Sequence, residues 1–232
     1  MKRSRLRVFV AGTDTGVGKT EVACGLLRSL AGRGLAPVPF KPYESGCDDL
    51  NAPSDALALQ RAALSPISLE QICPHRFKSA LAPGLAAQRE GRIASFSKTL
   101  EVYQSFENHH LVVEGAGGLR VPVDDQREII DLISAMELPV LLVARSGLGT
   151  LNHIALSVEA LRTREIAVAG VLLCRSTPQL DEAETSNAEW LNRHYPFPIL
   201  GPVPFERDSH LRLKEFCSVL DPWVTDWLAG DR

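Results

Sequence analysis

The feature that most constrains this chain is the run Val8-Phe9-Val10-Ala11-Gly12-Thr13-Asp14-Thr15-Gly16-Val17-Gly18-Lys19-Thr20. An apolar stretch feeds a glycine-rich loop that ends in Gly-Lys-Thr and opens an amphipathic pattern with Val22, Ala23, Leu26, Leu27 and Leu30 on one face. A loop entering a helix N-terminus aims several unpaired backbone N–H groups at one spot, and the helix dipole adds to their pull on phosphate. The run therefore predicts a buried strand, a phosphate loop and a helix. Lys19 would reach the outer phosphates of a nucleoside triphosphate and the Thr20 hydroxyl would ligate Mg²⁺. The strict pattern wants glycine at position 13, where this chain has Thr13 and carries its glycine one place earlier, at Gly12.

The rest of the chain repeats that alternation. Short apolar runs rich in Val, Leu and Ile at residues 6–11, 36–40, 110–114, 138–144 and 166–174 read as strands buried on both faces. Helical patterns lie at 20–32, 54–63, 95–107, 128–136, 150–162 and 180–193. The expected fold class is α/β: a P-loop NTPase-type three-layer αβα sandwich with a mostly parallel central sheet, one domain over residues 1–232.

Composition narrows the partners. A net charge of −3 leaves no basic footprint, so no nucleic-acid partner is expected. Lys2, Arg3, Arg5 and Arg7 form the one dense basic run and read as a short solvated leader. Apolar runs such as 138–144 and 166–174 are far below the ~20 residues that cross a bilayer, and the N-terminus has no apolar signal core. No membrane partner and a cytoplasmic location follow as expectations. The C-terminal stretch 220–232 is too acidic for anionic lipid. Cys24, Cys47, Cys73, Cys174 and Cys217 show no C-x-x-C spacing and read as reduced thiols; His109-His110 reads as a surface pair.

In a parallel sheet ligands bind beyond the carboxyl ends of the strands, and polar or glycine clusters follow the strands here: Lys41-Pro42-Tyr43-Glu44-Ser45-Gly46, Glu114-Gly115-Ala116-Gly117-Gly118 and Ser146-Gly147-Leu148-Gly149-Thr150. Glu114 suits a magnesium carboxylate or an acid capping a strand end. Asp55 follows Ser54 at a helix start, where a negative charge is worth ~0.3–1 kcal/mol against the dipole. Lys41, held extended by Pro42, is a second lysine aimed at the strand ends. Two lysines beside Mg²⁺ suit charge building on phosphoryl oxygens and an incoming oxygen nucleophile. Neither a Ser-His-Asp set nor a nucleophile elbow is present.

These runs resemble one family, the dethiobiotin synthetases. The matching stretches are Gly12-Thr-Asp-Thr-Gly-Val-Gly-Lys-Thr20, Lys41-Pro-Tyr-Glu-Ser-Gly46, Ser54-Asp-Ala-Leu-Ala-Leu-Gln60, Val113-Glu-Gly-Ala-Gly-Gly118, Leu138-Pro-Val-Leu-Leu-Val143 and Leu151-Asn-His153. The resemblance implies a ligase that joins 7,8-diaminopelargonate and CO₂ or bicarbonate to make dethiobiotin, with ATP as co-substrate and Mg²⁺ as cofactor. A carbamate on one amine would attack the γ-phosphate, and the second amine would close the ring on the resulting carbamic-phosphoric anhydride. Lys41, Lys19 and Thr15 would be catalytic, and Thr20, Asp55 and Glu114 would hold the metal. Gly16, Val17, Gly18, Lys19, Thr20 and Glu21 would bind the nucleotide together with Asp55, Glu114, Gly115, Ala116 and Gly117. Ser45, Gly117 and Gly118 would meet the substrate.

The family is a homodimer in which the substrate's far carboxylate sits at a helix N-terminus of the partner. Gly147, Leu148, Gly149, Thr150 and Asn152 would form it, although their composition alone reads as a plain helix cap. Several positions depart from the family pattern. Cys174-Arg175 replaces the Asn-Asp that reads the adenine edge, while Pro204, Phe205 and Glu206 match the second base-side loop. Gly16 stands where some members have an acid, and Gly84 where many have histidine. Tyr43-Glu44 is bulkier and more acidic than usual, Glu44 serving either a cationic diamine or only solvent. The alternative of another class is a ParA/MinD-like switch ATPase, which carries a lysine at the loop position of Asp14.

Overall fold

The computed structural model describes residues 5–180 and 182–230. In chain order the elements are β1 (Arg7–Gly12), α1 (Lys19–Gly32), β2 (Val38–Phe40), β3 (Tyr43–Ser45), α2 (Ser54–Ala63), α3 (Leu69–Ile72), β4 (His75–Phe77), α4 (Pro83–Arg89) and α5 (Phe96–Gln104). They continue with β5 (Leu111–Gly118), α6 (Ile129–Met136), β6 (Val140–Arg145), α7 (Thr150–Thr163), β7 (Val168–Cys174), α8 (Ala183–His194), β8 (Ile199–Val203) and α9 (Ser209–Ala229). Among the described residues six strands form one sheet in the order β2-β5-β1-β6-β7-β8, and every pairing in it is parallel.

Parallel strands joined by helices must bury both faces, and β1 shows how the residues do it. Val8 and Val10 enter the core shared with Leu26 and Leu27 of α1 and Leu220 and Trp223 of α9. Phe9 and Ala11 enter the opposite core, with Ile130 and Ile133 of α6 and Ile154 of α7. The three-layer sandwich follows from that alternation. It leaves the carboxyl ends of β1, β2 and β5 open for the loops that bear the polar clusters.

Several elements differ from the pattern read in the sequence. The glycines after Glu114 are strand, not loop: β5 continues to Gly118, which pairs with Gly12 past a register shift after Val10. Arg7 is no solvated leader residue. It opens β1, donates to the Phe106 carbonyl at 2.6 Å and lies 5.2 Å over the Tyr103 ring; Lys2 and Arg3 lie outside the described residues. His110 is not free surface either, because its Nδ1 accepts the Leu6 N–H at 3.1 Å. The acidic C-terminal stretch belongs to α9, where Trp223 is buried and Asp221 accepts from Arg33 at 2.8 Å and from Ser29; Asp231 lies outside the described residues. Among those residues no helix is long and apolar enough to cross a membrane.

Candidate active site

The loop between β1 and α1 is set by hydrogen bonds at both ends. Thr13 N–H donates to the Val143 carbonyl of β6 at 2.9 Å, and Gly18 caps α1 in the left-handed region with φ 102°. A side chain there would be strained, and a Cβ would stand 3.1 Å from Cys174 Sγ. Cys174 therefore packs behind the loop as a small apolar backing, and burial raises its thiol pKa. Lys19 is folded back, its Nζ donating to the Asp14 carbonyl at 2.8 Å. The Asp14 carboxylate receives the Thr15 N–H and pairs with Arg145 at 3.1 Å.

Lys41 follows β2, and its Nζ donates to Glu114 Oε1 at 2.6 Å and reaches Asp55 Oδ2 at 3.0 Å. The same Glu114 oxygen accepts the Thr20 hydroxyl at 2.7 Å, while its buried Oε2 has no partner. Burial alone would lower the Lys41 pKa, but Glu114 and then Asp55 outweigh it and hold the ammonium above its ordinary value. Burial pushes the Glu114 carboxyl up against the pull of Lys41. A buried carboxylate held by a lysine and a hydroxyl, with one oxygen idle, is costly unless it serves a ligand.

Among the described residues no three His, Cys, Asp or Glu side chains gather as a metal centre. The donors that do gather fit a hard cation completed by phosphate oxygens and water: two carboxylates, one with an idle oxygen, and a hydroxyl. Thr20, Asp55 and Glu114 would hold it.

Thr15, Lys19, Thr20, Lys41, Ser45, Asp55 and residues 114–117 line one cavity of about 600 Å³. Ser45 Oγ is buried there without a partner. A second cavity, about 250 Å³, shares Gly16, Gly18 and Glu21 with the first and is walled by Val17, Cys174, Arg175, Pro204, Phe205 and Glu206. The loop thus stands between the expected substrate side and the expected base side. Gly118 lines neither cavity, and the same holds for Gly147, Leu148, Gly149, Thr150 and Asn152. That last group opens α7, with Leu148 exposed, Thr150 Oγ1 buried without a partner, and the Ser146 and Gly147 carbonyls held by Asn187.

The solvent reading of Glu44 needs correction. Its carboxylate is buried on the wall of the larger cavity and receives the Asp55 and Ala56 N–H groups at 3.0 and 2.9 Å and the Ser54 hydroxyl at 3.3 Å. Pro53 has no side chain that can cap α2, so an acid ten residues upstream does the capping. Glu44→Ala is expected to lower unfolding stability by about 1–2 kcal/mol, read from urea melts, and Glu44→Gln by less. The glycine at 84 also has a reason: its N–H donates to the Pro122 carbonyl at 3.1 Å, and a Cβ would stand 3.1 Å from the Asp124 backbone. A histidine cannot fit there unless that backbone moves.

Sequence reasoning missed Arg145, Arg212 and Phe216, which also wall the smaller cavity. Arg145 ends a strand at the ligand edge and was findable. Arg212 and Phe216 arrive on α9, which no local pattern ties to the loop.

A family model described as an AAA domain matches residues 6–210. A protein of Anaeromyxobacter dehalogenans (strain 2CP-1) named ATP-dependent dethiobiotin synthetase BioD is 46% identical over 215 residues, covering 92% of this chain and 96% of the relative. Proteins of the same name from Bacillus velezensis and Bacillus subtilis (strain 168) are 40% and 35% identical, each covering 84% of this chain and 85% and 86% of the relative. Among solved structures, cobyrinic acid a,c-diamide synthase from Mycobacterium smegmatis with bound ADP and magnesium aligns with a TM-score of 0.56 at 13% identity, over 97% of this chain and 96% of that one. A plasmid partition protein of Borrelia burgdorferi aligns at 0.53 and 9% identity, over 97% of this chain and all of the other. These two carry the fold alone; the curated relatives carry the enzyme. The order of the strands, the phosphate loop and relatives of one name over nearly the whole chain agree: this chain belongs to the ATP-dependent dethiobiotin synthetase family of P-loop enzymes.

Proposed function

We propose that this chain converts 7,8-diaminopelargonate, CO₂ or bicarbonate and ATP into dethiobiotin in the cytoplasm, with Mg²⁺ and as a homodimer. The observation that carries the reading is the Lys41 ammonium, buried between Glu114 and Asp55 at 2.6 and 3.0 Å on the wall shared with Lys19 and Ser45. Such a fixed cation beside the phosphate loop supports attack of a carbamate oxygen on a γ-phosphoryl group, where negative charge builds on both partners. Bound at Thr20, Asp55 and Glu114, Mg²⁺ would neutralise phosphate charge. Lys19 would leave the Asp14 carbonyl for the outer phosphates, and Thr15 and Ser45 would orient the phosphoryl and carbamate ends. Ring closure by the second amine is intramolecular, so positioning alone can supply effective molarities of ~10⁵ M or more. The buried, unpartnered Thr150 hydroxyl at the start of α7 suits the far carboxylate of a substrate held by the partner subunit.

Phosphate release from ATP with Mg²⁺ and bicarbonate, with and without the diamine, tests this, with the product identified by mass. Diamine-dependent release with dethiobiotin is expected. Hydrolysis indifferent to the diamine, without product, would move the chain to the switch-ATPase reading.

Lys19 adds a pH test. Burial, with Lys41 adding to it and Glu114 opposing, pulls its ammonium down to about 8. An unfolded lysine keeps its proton to ~10.4. Between those values the unfolded chain holds more protons, so this group makes stability rise with pH across the window. Phosphate favours the charged form, so ADP binding at pH 9 is expected to take up protons and to weaken as pH rises further. Calorimetry in two buffers of different ionisation enthalpy measures the uptake, and none would remove Lys19 from phosphate binding.

A further inference from the structure

We propose that the smaller cavity accepts guanine as well as adenine, read by Arg175 under the control of Glu184 as a positioning residue. The inference rests on the reading of that cavity as the base side of the nucleotide site.

Arg175 follows β7 and lines the cavity. Its Nε donates to Glu184 Oε2 at 2.5 Å, and Glu184, 5% exposed on α8, accepts the Ser146 hydroxyl on its other oxygen at 2.8 Å. The carboxylate is thus locked to the end of β6, and it locks the guanidinium in turn. Among the described residues Glu184 engages the guanidinium through Nε, so the two Nη groups would be the donor fork offered to a base in the cavity that Arg175 lines. An arginine cannot accept a hydrogen bond, so it cannot copy an amide's paired donor and acceptor.

The two purines differ in what they offer such a fork. Guanine presents O6 and N7 as adjacent acceptors, the pair to which a guanidinium bonds in bidentate fashion, whereas adenine puts its N6 amino donor beside N7. Guanine also carries N1–H and N2–H donors on its other edge. Glu206 stands in the same cavity wall, its Oε1 accepting the Arg207 and Asp208 N–H groups at 2.6 and 2.9 Å, and its Oε2 would be the acceptor for those donors of guanine. A donor fork and a carboxylate in one cavity complement guanine on both edges and adenine on fewer points.

The test compares GDP with ADP in displacing a fluorescent ADP analogue from the full chain, and GTP with ATP in dethiobiotin formation. Binding of GDP within tenfold of ADP, or tighter, is expected. Arg175→Asn should shift the ratio at least tenfold toward ADP, and Glu184→Gln should shift it the same way by less. Arg175→Lys, which keeps the charge but loses the fork, provides a second variant. An ADP preference above tenfold in the unaltered protein, or a ratio that neither Arg175 variant moves, overturns the proposal. If GDP and ADP both bind while neither triphosphate yields dethiobiotin, the proposed function fails and the base reading stands.

Discussion

Lys41→Ala is expected to lower turnover by about 10²-fold or more, the usual cost of removing a charge partner of the transition state. The reasoning begins with burial: Lys41 is 4% exposed and its Nζ lies within 3.0 Å of both Asp55 and Glu114. Lys19, the other lysine lining that cavity, bonds the Asp14 carbonyl rather than Glu114 or Asp55 and, in the proposed mechanism, is engaged by the outer phosphates, so it does not replace Lys41. Removing one member of a buried ion pair also costs ~3–5 kcal/mol of stability, because the partner is left buried and uncompensated. Turnover should therefore be measured at a temperature where unfolding curves show the variant folded, with Lys41→Met as the variant that keeps the stem's volume. Near-wild-type turnover in either would remove Lys41 from the mechanism.

Glu114→Gln keeps the shape of the side chain and removes its charge. The amide oxygen it introduces could still accept the Thr20 hydroxyl, but the carboxylate that faces Lys41 and offers an idle oxygen would be gone. Losing even a supporting partner of a metal site costs ~10–100-fold in affinity, and a direct ligand costs no less. The Mg²⁺ concentration for half-maximal activity is expected to rise at least tenfold, with turnover falling by about 10²-fold. A magnesium titration that superimposes on the unaltered protein's would take Glu114 out of the metal site. The two variants separate the roles: Lys41→Ala should leave the Mg²⁺ midpoint no weaker, since it removes a competing cation from Glu114 and Asp55.

Local signals carried most of the central sheet. Runs such as 138–144 could be read because β-branched and aliphatic residues stack without interruption where both faces are buried, and the helix at 54–63 coincides with α2. β8 escaped because Gly201 and Pro202 sit inside it, residues that argue against a strand. β3 and β4 have three residues each, too few to show a period of two. α9 has Pro222 within its length and charges on several faces, which hid a helix held by its packing on α1 rather than by its own pattern.

By itself the sequence determined the phosphate loop, the alternation of buried strands and helices, and the presence of both Lys41 and Glu114 at the ligand edge. Each is a local pattern, or follows from the rule that parallel strands deliver their carboxyl ends to one side. Only the tertiary structure decided which carboxylate serves which partner. Glu44 and Asp55, eleven residues apart, meet because α2 needs an acceptor that Pro53 cannot supply. Arg175 and Glu184 meet because α8 folds back over the end of β7. Hydrogen-bond satisfaction in a buried setting is a property of the packed whole, and no spacing along the chain records it.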